Sequence, residues 1–449
     1  MERTQIANLT EQVRLYLESD DLEGAIALLE ALRPADKAEV FGDLPPSRQQ
    51  HLLPRLDAEE SADILEKLED EEVAELAGQL EPRTLSPILD AMEPDEAADL
   101  LGDLPTEKAQ ALLARMREAE EVRPLLLHPD DTAGGLMTSE FLALKRKMSA
   151  GEALEAVRRW APGTEAAHYL FVVDARNKLC GVVSLRQLII VDPLTRLEEI
   201  MDPDVIQVKV GTDREECAQI MARYDITALP VVDEEKRLLG VISIDDILDV
   251  LEEEATEDIQ RLGGAQPLEK PYLATGIFEV SKRRMGWLLL LFVTETLTGS
   301  VLRHFKAQLD AVVALAFFVP LLIGTGGNAG TQTTSTITRA LAVGDIEPRD
   351  LWRVFWHEVR TGALLGLAMA VVAFARALTW GTTPTLALAV ATAIMTIVIW
   401  ANSLGSLLPL IAYRLRIDPA VVSGPVMSTL VDATGLFIYL TIAGLMLGI

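Results

Sequence analysis

From about residue 21 to residue 116 the apolar positions return every twelve residues. Leu32, Leu44, Leu56, Leu68, Leu80, Met92, Leu104 and Met116 fall in register, and apolar pairs such as Leu52/Leu53, Ile64/Leu65 and Leu100/Leu101 mark a second position of the same repeat. Turn-like units lie between them, among them Asp57-Ala-Glu-Glu, Glu93-Pro94-Asp-Glu and Pro105-Thr-Glu-Lys. A proline or acid in a first turn, then apolar positions and a break, predicts helices of roughly two turns. Helices that short hold only by stacking, so the region reads as an all-α superhelical solenoid. Such a surface is structural or protein-binding, and no nucleophile with a base stands in it.

The pattern changes over residues 132–255. AHYLFVVDARNKLCGVVSLRQLI (167–189) and TALPVVDEEKRLLGVISIDDIL (227–248) share one plan. Each has an apolar β-branched run, an acidic turn from Asp174 or Asp233, and Gly181 or Gly240 leading a second strand. Ser184 or Ser243 then caps a helix through its side-chain oxygen. MSAGEALEAVRR and VGTDREECAQIMARYD, upstream of each, read as amphipathic helices. The LPVVD…GVIS pattern resembles paired cystathionine β-synthase-type (CBS) domains. That resemblance implies an α+β pair that binds an adenosyl ligand, serves as a regulatory hinge, or simply dimerises.

Asp245, Asp246, Asp249, Glu252, Glu253, Glu254, Glu257 and Asp258 follow, interleaved with Leu248, Leu251 and Ile259. This predicts a strongly acidic connecting helix. Crowded carboxylates repel each other, and hard divalent ions would relieve them; an exposed linker helix is the plainer reading.

Five later stretches are long and apolar enough to cross a bilayer, near 285–303, 311–338, 357–380, 384–413 and 420–448. Lys282, Arg283 and Arg284, then Arg339, Arg349, Arg353 and Arg360, then Arg414 and Arg416 fall on one side of a five-span layout. The excess places the soluble region inside and the C-terminus outside, with Arg303 and Lys306 against the trend. The expected location is the cell inner (plasma) membrane. The first 25 residues show no apolar signal-peptide core.

Polar residues inside these stretches carry the functional signal. PLLIGTGGNAGTQTTSTITRAL (320–341) sets Gly324, Gly326, Gly327 and Gly330 around Asn328, with Gln332 after them. Glycines there allow close helix approach or local unwinding. Asp432 stands mid-span in SGPVMSTLVDATG, and only it and Glu295 are acids well inside the predicted spans, neither with a basic partner evident. An intramembrane carboxylate is a functional candidate by default. Asn402, Ser403, Ser428 and Thr429 would extend a polar lining. Two copies on a twofold axis would bring one Asp432 each to a shared divalent-cation path.

Charge sharpens the division. The chain carries a formal net charge of −28, whereas residues 261–449 hold ten acids and fourteen bases. The acidic part repels nucleic acid and attracts cations. Cys180 and Cys217 lack metal-ligand spacing, as do His51, His128, His168, His304 and His357. TGGNAGT lacks the lysine of a phosphate loop, so an ATP-driven pump or other enzyme is disfavoured.

The whole arrangement resembles the MgtE family of magnesium transporters, with PLLIGTGGNAGTQ similar to its second-span signature and Asp432 to its pore aspartate. The resemblance implies five units: a helical domain over 1–130, CBS domains over 131–196 and 197–250, an acidic connecting (plug) helix and linker over 251–280, and a five-helix membrane domain over 281–449. It further implies a homodimeric magnesium-selective channel in the lipid membrane. Asp432, Asn328, Gly326, Gly327, Gln332, Thr429 and Asn402 are its expected pore and selectivity residues. Regulatory magnesium on the intracellular side would be held by Glu59, Asp90, Asp95, Asp225, Asp246, Asp249, Glu257, Asp258 and Asp418. ATP is a candidate ligand of the CBS pair. The residues themselves also leave open a cation-coupled secondary transporter of divalent metals and a non-transporting membrane sensor or scaffold.

Overall fold

A computed structural model describes residues 3–19, 21–160, 169–268, 272, 275–422 and 424–448. His168 and the opening of the first predicted strand run lie outside the described residues. The chain divides into two compact units, Met1–Glu252 and Glu253–Ile449.

The first unit opens with α1 (Arg3–Glu18), followed by short helices: α2 (Leu22–Glu30), α3 (Pro34–Gly42), α4 (Pro46–Leu52), α5 (Ala58–Leu65), α6 (Asp70–Gln79), α7 (Pro82–Leu89), α8 (Pro94–Asp103) and α9 (Thr106–Leu113). Proline occupies a first-turn position in α3, α4, α7 and α8, where its missing N–H costs nothing. The register residues Leu44, Leu80, Met92, Leu104 and Met116 are all buried in one continuous core, as the twelve-residue period requires. Long side chains tie successive turns together. Lys108 donates from Nζ to the Ala77, Gly78 and Leu80 carbonyls, each at 2.7 Å, and so satisfies the open end of α6.

The middle of the unit holds two copies of one small fold. The first is β1 (Ala143–Lys145), α10 (Ala150–Trp160), β2 (Tyr169–Val173), β3 (Leu179–Ser184) and α11 (Leu185–Ile190). The second is β4 (Val208–Lys209), α12 (Arg214–Tyr224), β5 (Ala228–Val232), β6 (Leu238–Ser243) and α13 (Ile244–Leu262). In each, a parallel pair precedes an antiparallel hairpin with one register shift. Asn177 and Lys236 take left-handed backbone at matching turns (φ 60° and 63°), and the two hairpins bond to each other through Leu179 N–H to the Lys236 carbonyl and Leu238 N–H to the Asn177 carbonyl. The modules also exchange their leading segments. Met137, ahead of the first module, packs on Gly240 of the second, and Met201, ahead of the second, packs on Gly181 of the first.

Among its described residues the second unit has five helices long and apolar enough to cross a membrane: α14 (Ile277–His304), α15 (Ala314–Ala342), α16 (Leu351–Thr379), α17 (Pro384–Arg414) and α18 (Gly424–Leu447). α17 is the most buried and α14 leaves nearly all its surface open. α15 runs unbroken through its glycines, so Gly326, Gly327 and Gly330 serve close packing and not unwinding. A Cβ at Gly405 of α17 would lie 2.7 Å from the Gly330 carbonyl oxygen, and one at Gly366 of α16 would lie 2.9 Å from that of Met395. Tyr439, fully buried on α18, donates its hydroxyl to the Leu315 carbonyl at 3.0 Å and fixes that end of α15.

These contacts predict a sharp contrast between two glycines. Gly405→Ala forces backbone apart and lowers stability by about 1–3 kcal/mol. Gly324→Ala meets nothing within 4 Å and leaves the melting temperature in detergent unchanged or slightly higher. Thermal unfolding of both variants followed by fluorescent size-exclusion checks this; equal behaviour would remove the packing argument.

Candidate functional site

On α15 two faces differ completely. Gly326, Gly327 and Gly330 are buried, the first against Ile397 and Val431, the last against Met427 and Ala401. Gly324, Asn328, Gln332 and Thr336, spaced four apart, form an exposed stripe that is polar along most of its length. Gly327 admits Ser428 of α18, which would stand 3.2 Å (Oγ) from a Cβ there. Ser428 is one turn before Asp432 on α18, so the buried Gly327 packs near the Asp432 face of that helix. Thr429 spends its hydroxyl on the Pro425 carbonyl at 3.0 Å. Asp432 is half-buried and takes no hydrogen bond or ion pair from the described residues; the charge acting on it is that of another acid, Glu295 of α14.

Asn402 is placed differently from the rest of the expected lining. It is only 2% exposed, and its Nδ2 donates to Glu358 Oε2 at 3.2 Å. Ser403 turns its hydroxyl back to the Ile399 carbonyl. Glu358 is a further half-buried acid, at the edge of its apolar run. The apolar run starts at 357, but α16 starts at Leu351, so Glu358 lies two turns into the helix, roughly 10 Å along it. A Glu next to His357 and Arg360 reads in sequence as the edge of a loop; only the helix start reveals it as an interior residue.

Of the acids expected to sense magnesium, Asp95 and Asp246 are brought together in the first unit. Asp95 is 5% exposed and its Oδ1 has no hydrogen-bond partner. Asp246 accepts from Ser243 Oγ at 2.5 Å and from Ser243 N–H at 3.2 Å, the same cap that Gln187 makes with Ser184 in the first module. Glu93, the N-cap of α8, and Glu96 and Asp99 on that helix join this field. Burial first, then repulsion by neighbouring acids, pushes the Glu93 carboxyl up to about 7 and those of Glu96 and Asp99 up to about 8. The same two causes raise Asp95 well above the ordinary range, and burial raises Asp246 against the pull of the Ser243 bonds. The sequence named Asp95 and Asp246 but missed Glu96 and Asp99, whose burial depends on neighbours far along the chain.

The remaining candidates are dispersed. Glu59 and Asp225 are exposed, Asp225 in left-handed backbone closing α12. Asp90 accepts from Arg117 N–H at 2.7 Å and so holds a turn of the solenoid. Asp249 lies 4.0 Å from Lys67. In the second unit Arg261 bridges Glu257 and Asp418, and Asp258 is raised by burial and by Asp418 and Glu254. The end of α13 seats there on the membrane helices: Gly264, at φ +72°, gives room to the Trp287 indole that any side chain would strike. Among the described residues, no three His, Cys, Asp or Glu side chains gather tightly enough to hold a metal ion. The donor set of Glu93, Asp95 and Asp246 is nonetheless all hard oxygen, the kind magnesium prefers.

Intramembrane acids without basic partners, a polar stripe on a spanning helix and an acidic region outside the membrane define a polytopic transporter of cations. The comparisons make this specific. Family models match residues 32–131 as the MgtE intracellular N domain, 133–192 and 197–253 as CBS domains, and 319–442 as a divalent cation transporter. The magnesium transporter MgtE of Thermus thermophilus is 46% identical over 331 residues, 74% of this chain and 73% of its own length. That of Enterococcus faecalis is 35% identical over 328 residues, 73% and 72%. A solved soluble part of a magnesium transporter (32% identity, TM-score 0.51) covers 56% of this chain and 99% of itself. The solved cytosolic domain of the Mg2+ channel MgtE in complex with ATP (39% identity, TM-score 0.51) covers 54% and 99%. The chain therefore belongs to the MgtE family: it is a multi-pass membrane protein for magnesium transport, with its soluble region intracellular.

The raised acids have a stability consequence. Glu96 and Asp99 hold protons more tightly folded than unfolded, so their stability contribution is full below about pH 4 and is lost as pH rises through about 8. In EDTA the first transition of the full chain should melt several degrees lower at pH 8.5 than at pH 6. Glu96→Gln and Asp99→Asn together should flatten that difference; an unchanged slope in the double variant would contradict the assignment.

Proposed function

We propose that this protein is a homodimeric, magnesium-selective channel whose pore runs between the two copies and closes when intracellular magnesium rises. The single observation that carries the reading is the half-buried Asp432 on α18, with an exposed Asn328–Gln332 stripe on the neighbouring spanning helix α15. Facing lipid, such a surface is costly; facing a second copy across water, it is a conduit. Two Asp432 carboxylates would balance one divalent ion, with amide, hydroxyl and carbonyl oxygens and retained waters completing the path. Gly326 and Gly327 let α15 and α18 approach closely enough to present both polar faces together.

The acids around Asp95 and Asp246 support the gating half of the proposal. Magnesium there would neutralise surfaces that repel each other and favour a compact arrangement; its loss would free them. Glu257, Asp258 and Asp418 form a second acidic group next to the membrane helices, held in this arrangement by Arg261. Adenine nucleotide is the proposed ligand of the CBS pair, on the strength of the ATP complex of the related cytosolic domain.

Recording from excised patches, with cytosolic-side magnesium swept from micromolar to about 10 mM, tests the reading. Unitary magnesium currents should be present at low magnesium and silenced as it rises. Asp432→Ala should abolish the current, and Asp246→Asn should raise the magnesium needed for closure several-fold. Slow saturable uptake that stops when a proton or sodium gradient collapses, with no unitary events, would establish a coupled carrier in its place.

A further inference from the structure

Glu358 on α16, Asn402 on α17 and Thr333 on α15 meet inside the membrane bundle, on helices other than the one that bears Asp432. Asn402 Nδ2 and Thr333 Oγ1 both donate to Glu358 Oε2, at 3.2 and 3.4 Å, and His357 Nδ1 lies 3.3 Å from Oε1. The Glu358 side chain is 15% exposed. No lysine or arginine among the described residues comes within 4 Å of it, so an acid stands in a low-dielectric region with only an adjacent imidazole as a charge partner.

A second, independent feature points the same way. Asn402 is 2% exposed, and its Oδ1 is buried with no donor. A buried amide oxygen without a partner is destabilising. Gly362, one turn beyond Glu358, exists as glycine to hold this amide: a Cβ there would stand 3.3 Å from Asn402 Cγ. Gly405 likewise lets Thr333 and Thr334 close against α17. The packing is thus arranged around an amide whose oxygen goes unused.

The cluster has one negative charge and a surplus of acceptors: two carboxylate oxygens, the amide oxygen and a hydroxyl oxygen. One carboxylate balances one positive charge, and a divalent ion would leave an uncompensated positive charge in the bundle. We infer that Glu358, Asn402 and Thr333 form a binding site for a small monovalent cation of the sodium class, resident in each protomer and separate from Asp432. On binding, the carboxylate and the Thr333 and Asn402 oxygens supply the ligands, the amide turning its Oδ1 toward the ion. The inference concerns binding and stands whether the protein proves a channel or a carrier.

The test is thermal unfolding of the purified full-length protein in detergent with EDTA throughout, in sodium chloride against N-methyl-D-glucamine chloride at equal ionic strength. Wild type should melt several degrees higher in sodium, with a saturable dose dependence. Glu358→Gln should lose that dependence, and Thr333→Val, a milder change, should shift it to higher sodium by ten-fold or more. Asp432→Asn should retain it in full. Identical melting of wild type in the two salts would overturn the site, as would a sodium dependence that survives Glu358→Gln. Stabilisation by acid pH alone, with no effect of sodium, would assign the charge compensation to a proton on Glu358 and equally overturn it.

Discussion

Negative charge without fixed counter-charge is the constraint on which the rest of this molecule depends. A carboxylate removed from water must be paired, protonated or neutralised by a mobile ion. Pairing is sparse here: among the described residues no lysine or arginine pairs with Asp432 or Glu358, and Glu93, Asp95, Glu96, Asp99 and Asp246 press on one another, with Lys67 acting on Asp246. A fold built only for stability would place a base at each. In the gating proposed above, such acids would make the arrangement of the acidic region depend on small cations.

Such groups persist because their surroundings are over-determined. In the membrane unit, backbone-to-backbone contact at Gly330–Gly405 and Gly366–Met395 brings α15, α16 and α17 together, and the Glu358 hydrogen bonds from Asn402 and Thr333 add a polar tie. In bilayers, where lipid competes equally for apolar contact, this close approach is the main source of helix association. In the soluble unit the exchanged leading segments of the two modules do comparable service, with Met137 on Gly240 and Met201 on Gly181. Each module is completed by chain that belongs, in sequence, to the other.

Much of this was legible in the sequence. The twelve-residue period forecast the stacked short helices, and the duplicated strand–turn–strand pattern forecast two like modules, because both depend on local periodicity. The five spans followed from length and hydropathy. What escaped is what depends on partners distant in the chain. Glu358 was hidden by a helix start six residues earlier than its apolar run. Asn402 read as an extension of the Asp432 lining, whereas the structure bonds it to α16. The glycines of 324–330 allowed either unwinding or packing, and only the neighbours Ile397, Val431 and Ser428 decide for packing. The exchange of Met137 and Met201 has no local signature at all.

The two acidic environments differ in a way that follows from their crowding. An isolated intramembrane acid presents one charge, so a cation passing it is held by one attraction at a time unless a second copy contributes another. In the cluster around Asp95, repulsion and desolvation act on several acids at once, and the result is proton affinity near neutrality. A cation that binds such acids must displace their protons, so part of its binding free energy is spent on that exchange and its apparent affinity falls. Crowding therefore does two opposed things: it creates the demand for a divalent ion, and it weakens the hold on that ion. A sensor of an abundant cytosolic cation needs both, since tight sites would stay filled at every concentration the cell presents. In the gating proposed above, the burial of Glu96 and Asp99 would set sensitivity through packing, without any change in the ligands themselves.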